Sequence, residues 1–225
     1  MRANEFTLTE WSHIDQEIIT ILQEKGYEFL GRGVDQLAFW EPSTGEILKI
    51  FGAPRSGISV DAHHDVFKTW VEYCDKFRSN PFLPKFSGWA PFKHKGHQYL
   101  QIRMERLVPL SDDWANQLER MADFVEDTPE NGATYETYLK WFLDYEHEFY
   151  PPYESAEELA VHLGEDGLQL LIQTLNNLKK IARSKGWVFD LHSGNWMMRN
   201  DSTPVILDPW VERSGRFASM PRSRI

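Results

Sequence analysis

Apolar and polar positions along this chain recur with two different periods, and the change of period divides it. Between Thr9 and Gly26, residues Trp11, Ile14, Ile18 and Leu22 keep the three-to-four-residue spacing of an amphipathic helix, with Thr9 as its cap and Gly26 as its stop. Two short β-prone runs follow, YEFLGRGVDQLAFW and EILKIF, joined by the turn-rich EPSTG, and together they predict a hairpin. Residues 61–78 return to a helical pattern that ends before Asn80-Pro81, and FSGWAPFKHKGHQYLQIRMERL predicts two more strands around Lys95-Gly96. From Ser111 to Lys185 the pattern is mainly helical. It is clearest where Leu168, Leu171, Ile172, Leu175, Leu178 and Ile181 share one face, with Gly186 after the last turn. No repeat, low-complexity tract or flexible linker interrupts the chain, so one structural unit is expected, with sheet giving way to helix near residues 107–113.

The last apolar runs differ from the rest because they enclose polar residues capable of chemistry. In VFDLHSGNWMMRNDSTPVILDPW, Asp190 ends a short strand, LHSG turns the chain, Asn195 begins WMM, and NDST links that run to PVILD. A hairpin of this kind places Asn195 and Asp208 at corresponding ends of paired strands, with Asp190 across the turn. Three oxygen-bearing side chains then converge. Magnesium takes hard oxygen ligands and keeps phosphate and water in its remaining positions, so Asn195 and Asp208 suit it, and Asp190 is left facing an attacking hydroxyl.

The overall composition narrows the setting. Hydrophobic residues make up 41% of the 225 and aromatics 14%, with nine tryptophans, enough for a substantial core. No apolar stretch approaches the roughly 18 residues of a membrane helix, and the start lacks a signal-peptide apolar segment, so a protein free of the membrane is expected. Cys74 is the only cysteine, which excludes an intramolecular disulfide and a cysteine zinc site, and predicts a buried apolar filler in a reducing cytoplasm. The net charge of -10 argues against general nucleic-acid binding. Its distribution is uneven: residues 119–166 hold fourteen acidic side chains against Arg120 and Lys140, while Arg213, Arg216, Arg222 and Arg224 crowd the end.

The spacing DLHSGN followed by Asp208 resembles the catalytic loop and metal-binding aspartate of protein kinases and aminoglycoside phosphotransferases. More narrowly, FDLHSGNWM, a short turn and ILDP are similar to the serine/threonine protein kinases of T-seven-like bacteriophages. The close resemblance covers about residues 186–211, and a looser one, by order of elements, runs from about residue 27. It implies an α+β, protein-kinase-like bilobal fold in a single domain over residues 1–225. A small antiparallel β lobe with one helix (about 1–107) precedes a mainly helical lobe (about 111–225), which stops soon after the metal-binding aspartate. It also implies ATP and Mg2+ as cofactors, protein substrates among host bacterial proteins, and a place of action in the host bacterial cytoplasm.

Carried over residue by residue, Asp190 orients or deprotonates the acceptor hydroxyl, Asn195 and Asp208 bind magnesium, and His192 contacts the transferred phosphate. In GEILKIF, strand alternation puts Ile47, Lys49 and Phe51 on one face, and a lysine between apolar neighbours there suits the α- and β-phosphates. Gly31 and Gly33 occupy the first two positions of a glycine-rich loop whose third is Gln36, and Asp35 adds a carboxylate that would repel phosphate. A dinucleotide fingerprint is disfavoured, because LAFW continues as strand and no Walker lysine follows. Ala38 and Ile47 stand where kinases have valine and alanine over the adenine, small and large exchanged. Glu72 is the candidate partner of Lys49, with Asp65 as rival, and Glu105 joins the nucleotide-binding set.

Several departures shape the expectation. Val188 and Phe189 replace the histidine and arginine before the catalytic aspartate, so no switch through a phosphorylated loop is expected. Pro209 and Trp210 follow the metal aspartate, and proline restricts Asp208 to extended backbone. Seventeen residues follow Asp208, too few for a peptide-docking platform, which leaves the acidic helices to attract a basic segment or a cationic small molecule. A small-molecule phosphotransferase and a non-catalytic pseudokinase that blocks a host factor are the alternatives.

Overall fold

In a computed structural model, residues 8–32, 36–51, 60–129, 132–141 and 153–212 are described. They form an α+β protein whose chain divides into two compact units: residues 1–76 with 85–106, and residues 77–84 with 107–225. Gly33, Asp35 and the arginine-rich end lie outside the described residues.

The first unit is built on a five-stranded antiparallel sheet, β1 (Glu28–Arg32), β2 (Gln36–Glu41), β3 (Glu46–Phe51), β4 (Phe86–His94) and β5 (His97–Met104), in the order β1-β2-β3-β5-β4. YEFLGRGVDQLAFW is therefore two strands and not the single run its composition suggests. The pairing of β1 with β2 slips between Phe29 and Gly31, leaving Leu30 as a bulge. Helix α1 (Leu8–Glu24) begins before Thr9, which lies inside it instead of capping it. It ends as expected at Gly26 (φ 88°), where Gly26 and Tyr27 N–H groups donate to the Gln23 and Leu22 carbonyls in a Schellman arrangement. Helix α2 (Val60–Lys76) buries Val66, Phe67, Trp70, Val71 and Cys74, and the Phe67 ring lies 3.8 Å from that of Phe51. Burial pushes the Cys74 thiol pKa up, consistent with an inert filler.

Directly opposed residues share a sheet face, so the registers sort the side chains into two sets. Leu37, Phe39, Leu48, Ile50 and Tyr99 form a buried cluster with Ile18 and Ile19 of α1. Ala38, Ile47, Lys49, Phe51, Ile102 and Met104 belong to the opposite face, because Ala38 pairs with Lys49, Lys49 with Ile102, and Ile47 with Met104.

The β4-β5 hairpin turns through Lys95 (φ 48°) and Gly96 (φ 82°), the two positive φ values of a tight hairpin connection. Glu17 of α1 clamps that tip, its carboxylate 2.7 Å from Lys95 Nζ and 3.1 Å from His94 Nε2. At the other end of the sheet Arg103 bonds the Glu41 carboxylate and donates to the Tyr27 hydroxyl at 2.7 Å.

The second unit is mainly helical. Ser111 caps α3 (Asp112–Asp127), accepting from Trp114 N–H, and Ala115, Gln117, Leu118, Met121, Ala122, Phe124 and Val125 face inward. Residues 135–141 are helical, and α4 spans Tyr153–Lys185, broken at Gly164, whose φ of 66° and ψ of 174° are not helical. The expected stripe on α4 is buried at Leu168, Leu171, Ile172, Leu175 and Leu178, but Ala182 and not Ile181 completes it. Lys179 is buried among them, and its Nζ donates to the Val125 and Thr128 carbonyls at 2.6 and 2.5 Å, satisfying the end of α3. The segment 77–84 is strapped to this unit: Asn80 Nδ2 donates to Thr174 Oγ1 at 2.7 Å, Ile206 N–H to the Phe82 carbonyl, and Arg199 to the Pro81 and Leu83 carbonyls. Among the described residues no helix is long and apolar enough to cross a membrane.

The Glu17 clamp has a pH signature. The Lys95 and His94 partners hold its carboxyl below the usual carboxylate range, so its stabilisation is complete above that range and is lost as pH falls through the lowered value. Denaturant titrations should show the unmodified chain more stable than Glu17→Gln above the usual carboxylate range, with the gap closing as pH falls through the lowered value. A gap that persists unchanged below the lowered value would contradict the clamp.

Candidate functional site

The short strands that end the second unit place the polar residues picked out in the sequence. β7 (Val188–Phe189) pairs with β10 (Trp210–Val211), and β8 (Trp196–Met198) lies between β6 (Val108–Pro109) and β9 (Pro204–Ile206). The β8-β9 turn is closed by Arg199 N–H donating to the Thr203 carbonyl and by Thr203 N–H donating to Asp201 Oδ1 at 3.0 Å. Trp210 is buried and its Nε1 donates to the Leu178 carbonyl at 2.9 Å, which fixes the end of this region on α4.

Three hydrogen bonds then draw Asp190, Asn195 and Asp208 together. Asp190 N–H donates to the Pro209 carbonyl at 2.9 Å, Asn195 Nδ2 to the Asp190 carbonyl at 2.7 Å, and Leu207 N–H to the Asn195 carbonyl at 2.8 Å. Asp208 sits between Leu207 and Pro209, so both of its neighbours are tied to the other two residues. All three residues are half-buried. The backbone around the three residues is thereby tied together, with Asn195 in a 3-10 turn (Ser193–Asn195) that precedes β8.

The same bonds decide which atoms the site presents. Because Asn195 Nδ2 is the end that donates to Asp190, its Oδ1 is the end left to accept. Asn195 Oδ1 and the Asp208 carboxylate are hard oxygen donors of the kind magnesium takes, with room in the donor set for phosphate oxygens and water. Among the described residues no group of three or more histidine, cysteine, aspartate or glutamate side chains could hold a metal.

His192 is exposed, and its Nδ1 accepts from Gly194 N–H at 3.1 Å. The neutral ring therefore carries its proton on Nε2, the donor turned away from the turn. A Cβ on residue 194 would lie 2.9 Å from His192 Cε1 and 3.1 Å from Nδ1, so any larger residue there would make the exposed ring shift.

In the first unit Lys49 is half-buried on the sheet face that also holds Ala38 and Ile47, and Gly31 pairs with Ala38 at its edge. Glu72 and Asp65 lie on the exposed side of α2, and Glu72 is 3.9 Å from Lys68 one turn earlier. Glu105 has a structural use: its carboxylate accepts from Lys85 N–H at 2.8 Å and its own N–H donates to the Lys85 carbonyl. His63 and His64 fall within α2.

One residue of the site has no sequence signal. Glu119 of α3 accepts from Ser193 N–H at 2.7 Å, across 74 positions of chain. Its place among fourteen acidic residues hides it, and only the packing of α3 singles it out.

No protein-family profile matches the chain, and no curated protein matches it. Among solved structures it is similar to the MAP kinase LmaMPK10 from Leishmania major, at 14% identity and a TM-score of 0.41, over 88% of this chain and 50% of that one. The chain thus spans about half the length of that kinase.

Replacing Gly194 by alanine should push the imidazole off its amide donor. Long-range nitrogen NMR of His192 is expected to show the Nε2–H tautomer in the unmodified chain and a tautomer mixture in Gly194→Ala. Identical spectra would mean that the amide does not set the ring.

Proposed function

We propose that the chain is an ATP-dependent phosphotransferase that moves the γ-phosphoryl group to serine or threonine hydroxyls of proteins, a phage-encoded kinase acting on host bacterial proteins. The observation that carries the reading is the stitching of Asp190, Asn195 and Asp208 by three hydrogen bonds, which supports oxygen ligands and a base at one place. Phosphoryl transfer asks mainly for positioning and charge neutralisation, so a small number of fixed polar groups suffices.

In this reading Asp190 orients the acceptor hydroxyl and takes its proton as the new P–O bond forms, while the bond between the γ-phosphorus and the β-γ bridging oxygen breaks and ADP leaves. Asn195 Oδ1 and the Asp208 carboxylate would hold magnesium. That ion, when bound, would neutralise phosphate charge and fix the orientation of the phosphate chain. His192 donates from Nε2 to a phosphate oxygen, and Pro209, which limits the backbone around Asp208, keeps the metal ligand in one state. In the first unit Lys49 pairs with phosphate, while Ala38 and Ile47 offer apolar surface on the same sheet face for adenine. Gly31 leaves the neighbouring strand without a side chain where phosphate must approach. Acidic residues of the second unit would favour a basic acceptor segment.

Purified protein incubated with γ-labelled ATP, magnesium and bacterial lysate tests this reading beside Asp190→Ala and Asp208→Ala. Label should enter protein bands with the unmodified chain and fall by at least about 10²-fold in both variants. Label confined to small molecules would reassign the acceptor. No transfer by folded protein would sink the catalytic reading and leave a binding role.

A further inference from the structure

The turn that carries His192 and Asn195 is held from outside as well as from within. Ser193 and Gly194 are the first two residues of the 3-10 turn, where backbone N–H groups have no partner inside the turn itself. Gly194 N–H is satisfied by His192 Nδ1, and Ser193 N–H by the Glu119 carboxylate at 2.7 Å, the short distance of a charge-assisted bond. Asn195 N–H closes the turn on the His192 carbonyl at 2.9 Å, and its side chain reaches the Asp190 carbonyl. A rotation at Ser193 would therefore displace the histidine and the asparagine together.

Glu119 can restrain that rotation because the helix bearing it is fixed. α3 is capped by Ser111, packed through Leu118, Met121 and Ala122 on either side of Glu119, and pinned at its far end by Lys179. Glu119 itself is half-buried, so its carboxylate meets less competition from water than the exposed acids nearby. A group bonded to an amide of the turn, and not directed at the reacting atoms, acts through other residues.

We infer that Glu119 is a positioning residue for phosphoryl transfer, holding the turn that bears His192 and Asn195 through the Ser193 amide. The inference rests on the phosphotransfer reading for its catalytic consequence, but the hydrogen bond has a signature of its own. Glutamine retains an acceptor oxygen, whereas alanine removes it, so the two variants separate loss of the bond from loss of charge.

The test combines amide hydrogen exchange at Ser193 with steady-state kinetics on the full chain, using the unmodified protein, Glu119→Ala and Glu119→Gln. In Glu119→Ala, Ser193 exchange should rise sharply and kcat should fall by about 10-fold, with KM for ATP held within about twofold. Glu119→Gln should keep slow exchange and recover most of kcat. Unchanged Ser193 exchange in Glu119→Ala overturns the inference whatever the activity. Faster exchange with kcat intact also overturns it and leaves the phosphotransfer reading standing. An inactive unmodified chain overturns that reading, and Glu119's catalytic role with it, even where exchange responds as expected.

Discussion

The candidate site depends on the bond between Asp190 N–H and the Pro209 carbonyl and on its companion between Leu207 N–H and the Asn195 carbonyl. Each joins residues more than ten positions apart, and together they bracket Asp208, so the metal-ligand candidates keep their place only while both strand ends stay paired. The surrounding packing serves this pairing. Val205 and Ile206 are buried beneath it, and Trp210 ties the last strand to α4 through the Leu178 carbonyl. Buried backbone groups left unpaired are costly, so strands this short persist because their remaining donors and acceptors find partners in the segment 77–84 and in α4.

The first unit solves a different problem. One sheet face is committed to the core with α1, and the other carries a cation among apolar side chains. Lys49 is half-buried on that face between Ile47 and Phe51 in sequence alternation, a position that a long side chain tolerates when its stem is covered and its head is not. The apolar residues of that second face are buried too, Phe51 against Phe67 of α2.

How far the sequence reveals this arrangement depends on how local each cause is. The turn 190–195 and the hairpin after it are legible because their residues lie within twenty positions and the turn chemistry is explicit in HSGN and NDST. The helix ends at Gly26 and Gly186 are legible too: both adopt the positive φ that glycine permits, and at the second, Gly186 and Trp187 N–H groups donate to the Arg183 and Ala182 carbonyls. The division of YEFLGRGVDQLAFW into two strands is harder, because β-prone residues continue through the glycines and only pairing with β3 identifies the second strand. The break at Gly164 is masked by good helix formers on both sides. Glu72 is a candidate by its position on a helix, yet the face it occupies is set by which residues α2 buries, and Trp70 and Cys74 turn it outward. Glu119 is the extreme case: its role depends on a contact across 74 residues, to which no local pattern refers.

The most direct measurement of the central claim is a crystal structure of the chain with magnesium and a non-hydrolysable ATP analogue. The account predicts a metal held by Asn195 Oδ1 and the Asp208 carboxylate, with the terminal phosphate near Asp190 and His192. A metal-nucleotide complex bound away from Asn195 and Asp208 would contradict it.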